Sequence, residues 1–403
     1  MVSNFCIYPQ IGKKLEHHQI KIKKVKLKDL DEFSQNALND PAYQDLAPIS
    51  LVRAASQVNN PLAEPDDITL LVALCKGRCI GYHGLLPGIL KIDENYSKIY
   101  WLVTFYLDAG FRGQGHGKRL VSEIQNTAVD LVTTGITAGA EGAYRSMGFK
   151  DLGDLPYCQL RLDRLQSMHS PFQYGGNKPE QPGVFGSMFN RFGRWRYQLK
   201  KQMVYRIVRQ KLKAKKNIFQ SRLVNRLDED LTSPMAQQSP YASFHRDLDT
   251  INWMLQHPWV VSRKDAGKDV QNYYFSRVRD LFELVALEIF APDGNTRKGF
   301  LILSISLNKN KSVVKILDYN FYDPQDTFIA GYFGIQYAKD LLADRIEYPG
   351  SLNDFFEEQP FFKRLIKEKK RLYLFYPNSN DSPLAVSAGK IKLDYCDGDT
   401  AFT

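Results

Sequence analysis

A glycine-rich turn between an apolar run and a helical pattern constrains this sequence more than any other feature. The turn contains Gly113, Gly115 and Gly117; it follows the apolar run 99–107 and precedes the helical pattern 118–132. Glycines let the main chain approach a bulky anion closely, because no side chain stands in the way. The N–H groups and the dipole at a helix start then attract negative charge. The pattern predicts a turn that binds a pyrophosphate.

The spacing of the glycines argues against two common phosphate-binding turns. A Walker loop requires Gly-Lys followed by Ser or Thr, whereas Lys118 is followed by Arg119. The dinucleotide-binding fingerprint has the spacing G-x-G-x-x-G, whereas the glycines here alternate with other residues. The turn fits R-x-x-G-x-G, with Arg112 as the leading arginine. In this it resembles the coenzyme A loop of the GNAT acyltransferase superfamily.

A second motif strengthens the resemblance. Residues 143–149 (AYRSMGF) resemble the Tyr-x-x-x-Gly-Phe segment of the family and follow the loop at the usual distance. Upstream, residues 18–30 resemble the first strand and helix start, and residues 69–85 resemble a hairpin. Residues 157–162 resemble a closing strand. The resemblance covers about residues 19–163.

The predicted fold class is α+β with a mixed sheet, and the chain of 403 residues is long enough for two domains. We predict a GNAT acyltransferase domain with the coenzyme A loop over residues 1–165. A linker and a basic amphipathic helix follow over residues 166–239. A second, degenerate GNAT-like domain is predicted over residues 240–403, and an unrelated α+β domain is the alternative.

The prediction of a second GNAT-like domain depends on the order of its elements. The expected strands are 281–290, 299–307, 312–319, 345–348, 371–376 and 390–395, and the expected helices are 327–343 and 352–358. This order echoes the first half, but the turn after Tyr319 contains Pro324 and no glycine. A turn of that kind cannot offer the same bare N–H donors, so we do not expect it to hold coenzyme A in the usual way.

A basic segment separates the two predicted domains. Eleven Lys or Arg residues and no acid occur from Arg191 to Lys216. Apolar residues recur there at helical spacing, and they are Phe192, Trp195, Leu199, Met203 and Ile207. Three interpretations stay open: a connecting helix that packs through this apolar stripe, peripheral membrane contact through residues 188–216, or binding of a polyanion such as tRNA. Nucleic acid is the least favoured partner.

The family resemblance implies roles for the residues of the loop and of the second motif. The main chain of the loop binds acyl-CoA, Arg112 shapes the loop and can face phosphate, and a backbone N–H near Leu107 polarises the thioester. The cofactor-binding residues implied are Leu107, Arg112, Gly113, Gln114, Gly115, His116, Gly117 and Lys118. Tyr144 matches the tyrosine that protonates the leaving thiolate; packing against the pantetheine arm is its alternative role.

The group that accepts the proton of the amine is left open. Residues 99–107 contain no carboxylate. His83 has a suitable pKa for this task, with a structural hydrogen bond as its alternative role. Asp108 and bulk water are further candidates, and turn formation also explains Asp108. We expect no metal, because Cys75 and Cys79 flank a hairpin turn and no second metal-spaced pair exists.

The predicted function is transfer of an acyl group, in the first place acetyl, from acetyl-CoA or another acyl-CoA to a primary amine. An amino sugar of surface polysaccharide synthesis is the suggested acceptor, with Arg53, Gln57, Asn59 and Asn60 offering polar contacts. The alternatives are a Fem-type aminoacyl transferase and a non-catalytic, membrane-associated sensor of coenzyme A. Five scattered cysteines and the lack of a signal pattern predict a cytoplasmic protein with optional peripheral membrane contact.

Overall fold

The computed structural model describes residues 19–167, 184–212, 219–228, 241–267, 272–309, 311–358 and 360–402. The helices, numbered in chain order, are α1 (Leu27–Ala37), α2 (Leu51–Val58), α3 (His116–Gln125), α4 (Ala138–Ser146), α5 (Arg164–Ser167), α6 (Val184–Leu212), α7 (Leu248–Gln256), α8 (Phe328–Asp340), α9 (Asn353–Glu357), α10 (Pro360–Lys363) and α11 (Pro383–Ser387).

The strands of the first half are β1 (Ile20–Lys26), β2 (Ile68–Cys75), β3 (Arg78–Ile92), β4 (Asn95–Leu107), β5 (Asp130–Thr134) and β6 (Lys150–Arg161). Those that follow are β7 (Gln220–Val224), β8 (Ala242–Phe244), β9 (Val260–Ser262), β10 (Arg277–Arg279), β11 (Leu281–Phe290), β12 (Arg297–Asn308), β13 (Lys311–Phe321), β14 (Arg345–Pro349), β15 (Ile366–Tyr376) and β16 (Ile391–Lys392).

One mixed sheet of 14 strands runs through both halves of the chain. Its main path has the order β1-β2-β3-β4-β5-β15-β6-β14-β13-β12-β11-β7, and β8 and β16 pair beside β3. Two pairs on this path, β4–β5 and β13–β14, are parallel. The predicted α+β class with a mixed sheet is therefore confirmed.

The two halves exchange strands at the centre of the sheet. β15, from the second half, pairs antiparallel with both β5 and β6. β6, from the first half, lies between β15 and β14. Outward from this central pair, the order is β5-β4-β3-β2-β1 on one side and β14-β13-β12-β11-β7 on the other. The strand order of the second half thus repeats that of the first, while the predicted boundary near residue 165 stays a prediction.

The helices of the first half pack through narrow apolar faces. α3 buries Leu120, Val121 and Ile124 at the spacing of one helical face. These residues join a core cluster that also contains Leu374 of β15. The second half therefore supplies part of the core beneath the glycine loop.

The long helix α6 packs through a different face from the one considered above. Its buried side chains are Tyr197, Lys201, Val204, Tyr205 and Val208, whereas Trp195, Leu199, Met203 and Ile207 are exposed. The interpretation that the helix packs through the apolar stripe is therefore wrong. Hydrogen bonds from α6 to the turn before β14 determine which face of the helix is buried. The side chain of Phe192 lies outside the described part of the chain.

One strand expected in the second half is much shorter in the structure. The strand predicted at 390–395 is reduced to the two residues of β16, because the chain from Asp394 onward turns in to pack against the centre of the molecule. Of the predicted linker and basic helix, 166–239, residues 168–183, 213–218 and 229–239 lie outside the described residues. No helix in the ranges given above is long and apolar enough to span a membrane.

Candidate active site

The parallel strands β4 and β5 separate part of the way along their length. Their pairing joins Ile99–Leu102 with residues 130–133. β4 then continues to Leu107, whereas β5 ends at Thr134. The last five residues of β4 therefore leave an opening in the sheet on the side of β5, into which an extended ligand can insert.

A β-bulge on β4 lies beside this opening. One residue of β3, His83, lies opposite two residues of β4, Thr104 and Phe105, where the pairing register shifts. Thr104 has a φ angle of 53°, which is rare for a β-branched residue. A bulge leaves backbone groups outside the regular ladder, so they become available to a ligand.

The glycine loop connects β4 to α3 in a left-handed backbone conformation. Gly113 and Gly115 have φ angles of 76° and 82°, and nothing lies within 4 Å of the place where a Cβ atom would stand on either residue. Gly115 caps α3, whose N-terminus has no side-chain cap and no acid in its first turn. No side chain therefore caps this turn or fills the space beside Gly113 and Gly115, as a bound diphosphate requires.

Side chains stabilise the loop by hydrogen bonds to its main chain. Arg112 Nε donates to the carbonyl oxygen of Leu107 at 2.8 Å, and Gln114 Nε2 donates to the carbonyl of Gly110 at 2.8 Å. The Asp108 carboxylate accepts from the Gly110 N–H at 2.8 Å, which is the turn-forming alternative considered for this residue. Arg112 thus shapes the loop through its main-chain contact.

The remaining two predicted loop residues differ in exposure. His116 is buried with its ring 6.1 Å from that of Phe111, so its side chain belongs to the support of the loop. Lys118 is exposed in the first turn of α3. The structure brings both into the same turn as the three glycines.

The two predicted catalytic side chains meet beneath the loop. The Tyr144 hydroxyl lies 2.8 Å from Nε2 of His83, and which atom donates depends on the tautomer of the imidazole. Thr137 caps α4 by accepting from the Ala140 N–H, which fixes the helix that carries Tyr144. Tyr144 is the one buried side chain of that helix.

Burial sets the protonation of this pair. It lowers the pKa of His83 to about 3, so the imidazole is neutral at physiological pH. It raises the pKa of Tyr144 above its usual value, so the phenol keeps its proton. The site therefore holds two neutral groups that share one hydrogen bond.

Phe105 connects the loop to this pair. Its ring centre lies 5.0 Å from that of His83 and 6.4 Å from that of Tyr144. A Cβ atom on Gly117 would lie 3.1 Å from Cζ of Phe105, so the ring also touches the first turn of α3. Phe105 was not predicted as a site residue, because its position depends on the bulge, which has no signature in the sequence.

The polar residues proposed to contact the acceptor have mainly structural partners. The Asn60 amide donates to the Pro87 carbonyl at 2.9 Å, and that of Asn59 donates to its own helix. Arg53 is buried, with its guanidinium carbon 3.7 Å from the ring centre of Trp259. Gln57 is buried on the same helix. The second half therefore covers this side of the first.

The second half contains an equivalent opening with different chemistry. A cavity of about 720 Å³ lies where β13 runs beyond its pairing with β14. Its lining includes Arg246, which contacts Asp318 at 3.4 Å and Asp394 at 3.2 Å. Burial raises the pKa of Asp397, in the same lining, to about 8. Carboxylates at this position do not suit a diphosphate.

The described ranges hold no group of three or more His, Cys, Asp or Glu side chains that could hold a metal ion. Cys75 and Cys79, which flank the turn between β2 and β3, are both buried as free thiols. Burial raises the pKa of Cys79 to about 12. This thiol is therefore protonated at physiological pH.

Comparison with protein families identifies the region that contains this site. Residues 66–151 match the family model described as the acetyltransferase (GNAT) domain. The matched range includes the opening between β4 and β5, the glycine loop and Tyr144. No curated protein matches the sequence.

Three solved structures are similar over most of the chain. A GCN5-related N-acetyltransferase from Anabaena variabilis has 11% identity and a TM-score of 0.48, covering 90% of this chain and 73% of its own. Saccharomyces cerevisiae N-myristoyltransferase with bound myristoyl-CoA has 10% identity and a TM-score of 0.49, covering 92% and 85%. A tandem GNAT protein from the clavulanic acid biosynthesis pathway has 10% identity and a TM-score of 0.44, covering 90% and 100%.

Proposed function

Because residues 66–151 match the family model of the GNAT acetyltransferase domain, we propose that the protein transfers an acyl group from acyl-CoA to a primary amine. Acetyl is the acyl group proposed first, and amino sugars are the first acceptors to test. The observation that carries the proposal is the uncapped N-terminus of α3, where the space beside Gly113 and Gly115 is clear of side chains.

The loop would bind the diphosphate of acyl-CoA through its main chain. Each N–H group of the turn from Gly113 to Lys118 can donate to a phosphate oxygen, and the dipole of α3 adds favourable charge. The side chain of Arg112 holds the loop against Leu107. The opening beside β4 then directs the thioester toward the bulge.

The thioester carbonyl would be polarised by the backbone of β4. Negative charge develops on that oxygen during attack by the amine, so a fixed N–H donor lowers the barrier. Within the described ranges, the segment from the bulge at Thr104 to Leu107 has no strand pairing with β5. We assign the donor to this segment, which contains the predicted Leu107.

His83 and Tyr144 would handle the proton that the leaving thiolate needs. If His83 carries its proton on Nε2, it donates to the Tyr144 oxygen and leaves the phenolic O–H free to protonate sulfur. The same hydrogen bond then stabilises the phenolate that forms. His83 is thus a positioning residue, which orients Tyr144 and stabilises its phenolate.

The proton lost by the amine would leave through water. An imidazole whose pKa is about 3 is a poor equilibrium acceptor for an ammonium proton, because a general base works best with a pKa near the operating pH. The segment of β4 beside the opening carries no carboxylate. Overall, one proton leaves the amine and one reaches the thiol, so the transfer is balanced.

Two measurements test the proposed function with the full-length protein. Calorimetry with acetyl-CoA should show saturable binding, and thiol release should be detected with at least one amine from a panel of amino sugars, amino acids and polyamines. Absence of binding to any acyl-CoA would contradict the proposal. Binding without turnover of any amine would favour a non-catalytic sensor of coenzyme A instead.

A further inference from the structure

We propose that the solvent-facing side of α6 binds the surface of an anionic lipid bilayer. This side is formed by Trp195, Leu199, Met203 and Ile207, here called the exposed stripe. Their exposures are 57%, 43%, 58% and 39%. Four large apolar side chains in one line of a helix are more than the scattered apolar residues of an ordinary surface.

The helix cannot turn this stripe inward. The opposite side of α6 is anchored by Lys201, whose Nζ donates to Asp344 at 2.7 Å and to the Leu342 carbonyl at 2.6 Å. The Tyr197 hydroxyl donates to Asp344 at 2.6 Å, and that of Tyr205 donates to the Ala343 carbonyl at 3.0 Å. These buried bonds fix the rotation of the helix, so the stripe stays on the outside.

Cations lie on both sides of the stripe. The residues of the stripe are four apart, so the line that joins them winds by about 40° per step around the helix axis. Measured from this winding line, Arg206 lies on one side, and Arg196 and Lys200 lie on the other. Arg196 and Arg206 are exposed. The segment from Arg191 to Lys216 has eleven Lys or Arg residues and no acid. A narrow apolar line between basic flanks, with a tryptophan in it, fits the boundary between acyl chains and anionic headgroups.

Other partners fit this surface less well. A nucleic acid would satisfy the cations but would leave the apolar line in water. A second copy of the chain would bury the apolar line but would bring two basic helices together. The lipid surface satisfies the apolar and the charged part at the same time.

Vesicle binding of the full-length protein tests the proposal. We expect co-sedimentation with vesicles of phosphatidylcholine and phosphatidylglycerol, little with phosphatidylcholine alone, and weaker binding as salt rises. The other three tryptophans, Trp101, Trp253 and Trp259, are buried. A blue shift of tryptophan fluorescence on binding would therefore report on Trp195.

Variants separate the apolar contribution from the charges. Trp195→Ser with Met203→Ser should weaken binding by about tenfold or more, since it removes apolar area from the interface. Arg196→Gln with Arg206→Gln should weaken it about fivefold per charge. Val386→Ser is the matched control, because Val386 is 70% exposed on α11. The melting temperature of each variant, measured in parallel, checks that the fold is retained.

Three results would overturn the proposal. The first is equal binding to neutral and anionic vesicles, or none to either. The second is unchanged binding in the Trp195→Ser and Met203→Ser variant. The third is a dimer in light scattering that this variant converts to a monomer, which would assign the stripe to a second copy of the chain. None of these results depends on acyl transfer, so the two proposals fail separately.

Discussion

The hydroxyl of Tyr144 lies 2.8 Å from Nε2 of His83, across 61 residues of sequence. One side chain comes from α4 and the other from the centre of β3, opposite the bulge of β4. Both are buried, and their contact fixes the direction of the phenol beside the opening in the sheet. We propose that this contact orients the phenol to give its proton to the sulfur of the leaving thiolate.

Replacement of Tyr144 by Phe tests this role. Turnover should fall by about 10²–10⁴-fold, because the proton donor is lost while the ring still packs. The affinity for acetyl-CoA, measured by calorimetry, should change by less than about threefold, since the loop binds through its main chain. Equal losses of affinity and turnover would assign Tyr144 to binding.

His83 should remain neutral across the physiological range. Its pKa is lowered to about 3 by burial, whereas it is about 6.5 in the unfolded chain. In NMR, its ring resonances should not titrate between about pH 5 and 8. A midpoint inside that interval would contradict both the burial and the proposed role of the imidazole.

The same shift makes the folded state sensitive to acid. As pH falls from about 6.5 toward 3, the unfolded state binds a proton that folded His83 does not bind. The free energy of unfolding should therefore fall by up to about 1.4 kcal/mol per pH unit in this window. In the His83→Gln variant, urea denaturation at several pH values should show a smaller change in the free energy of unfolding per pH unit.

Gly115 and Gly77 provide a matched pair for testing the loop. Their φ angles are 82° and 79°, and a Cβ atom on either residue would meet nothing within 4 Å. Alanine should cost about 1 kcal/mol of stability at either position, because both backbones are left-handed. Acetyl-CoA affinity should fall by about tenfold or more only for Gly115→Ala, because only that methyl group enters the proposed phosphate site. Equal acetyl-CoA affinity in the two variants would show that the glycine loop is not the binding site of the diphosphate.

The contributions of Lys201 and Asp344 to the free energy of unfolding should not be additive. Lys201→Met leaves the buried Asp344 carboxylate without its cation, and we expect the free energy of unfolding to fall by about 3 kcal/mol or more. A double variant with Asp344→Asn should recover part of this loss in a thermodynamic cycle measured by urea denaturation. Additive losses would show that the 2.7 Å contact contributes little.

The pH dependence of the Lys201→Met variant follows from the pKa of Asp344. Burial alone would raise that pKa, but hydrogen bonds from Lys201, Tyr197 and the Ser312 backbone outweigh it and hold it below the usual value. The resulting stability is present above about pH 4 and is lost as pH falls further. The difference between wild type and variant should therefore shrink below about pH 4.

The glycine loop and the tyrosine motif were predictable, because each depends on residues that are close in sequence. Gly113, Gly115 and Tyr144 lie where the motifs predicted them. The contact between His83 and Tyr144 was not predictable, since it requires the register of β3 against the bulge. His83 was chosen for its intrinsic pKa, and its burial reverses that argument.

The orientation of α6 was not predictable, because its buried face contains a lysine. Sequence patterns place charged side chains outside, whereas Lys201 is only 2% exposed and bonds to Asp344. Asp344 lies far along the chain, so no local pattern indicates the partner. The more apolar stripe, from Trp195 to Ile207, was therefore the natural choice for the packed face.

The exchange of β6 and β15 has a consequence for synthesis on the ribosome. Until residues 366–376 have been translated, the sheet beside the glycine loop lacks the strand that pairs with β5. The nascent first half must therefore leave the exit tunnel with unpaired backbone on both β5 and β6. The acyl-CoA cleft can be completed only after more than nine-tenths of these 403 residues have been made.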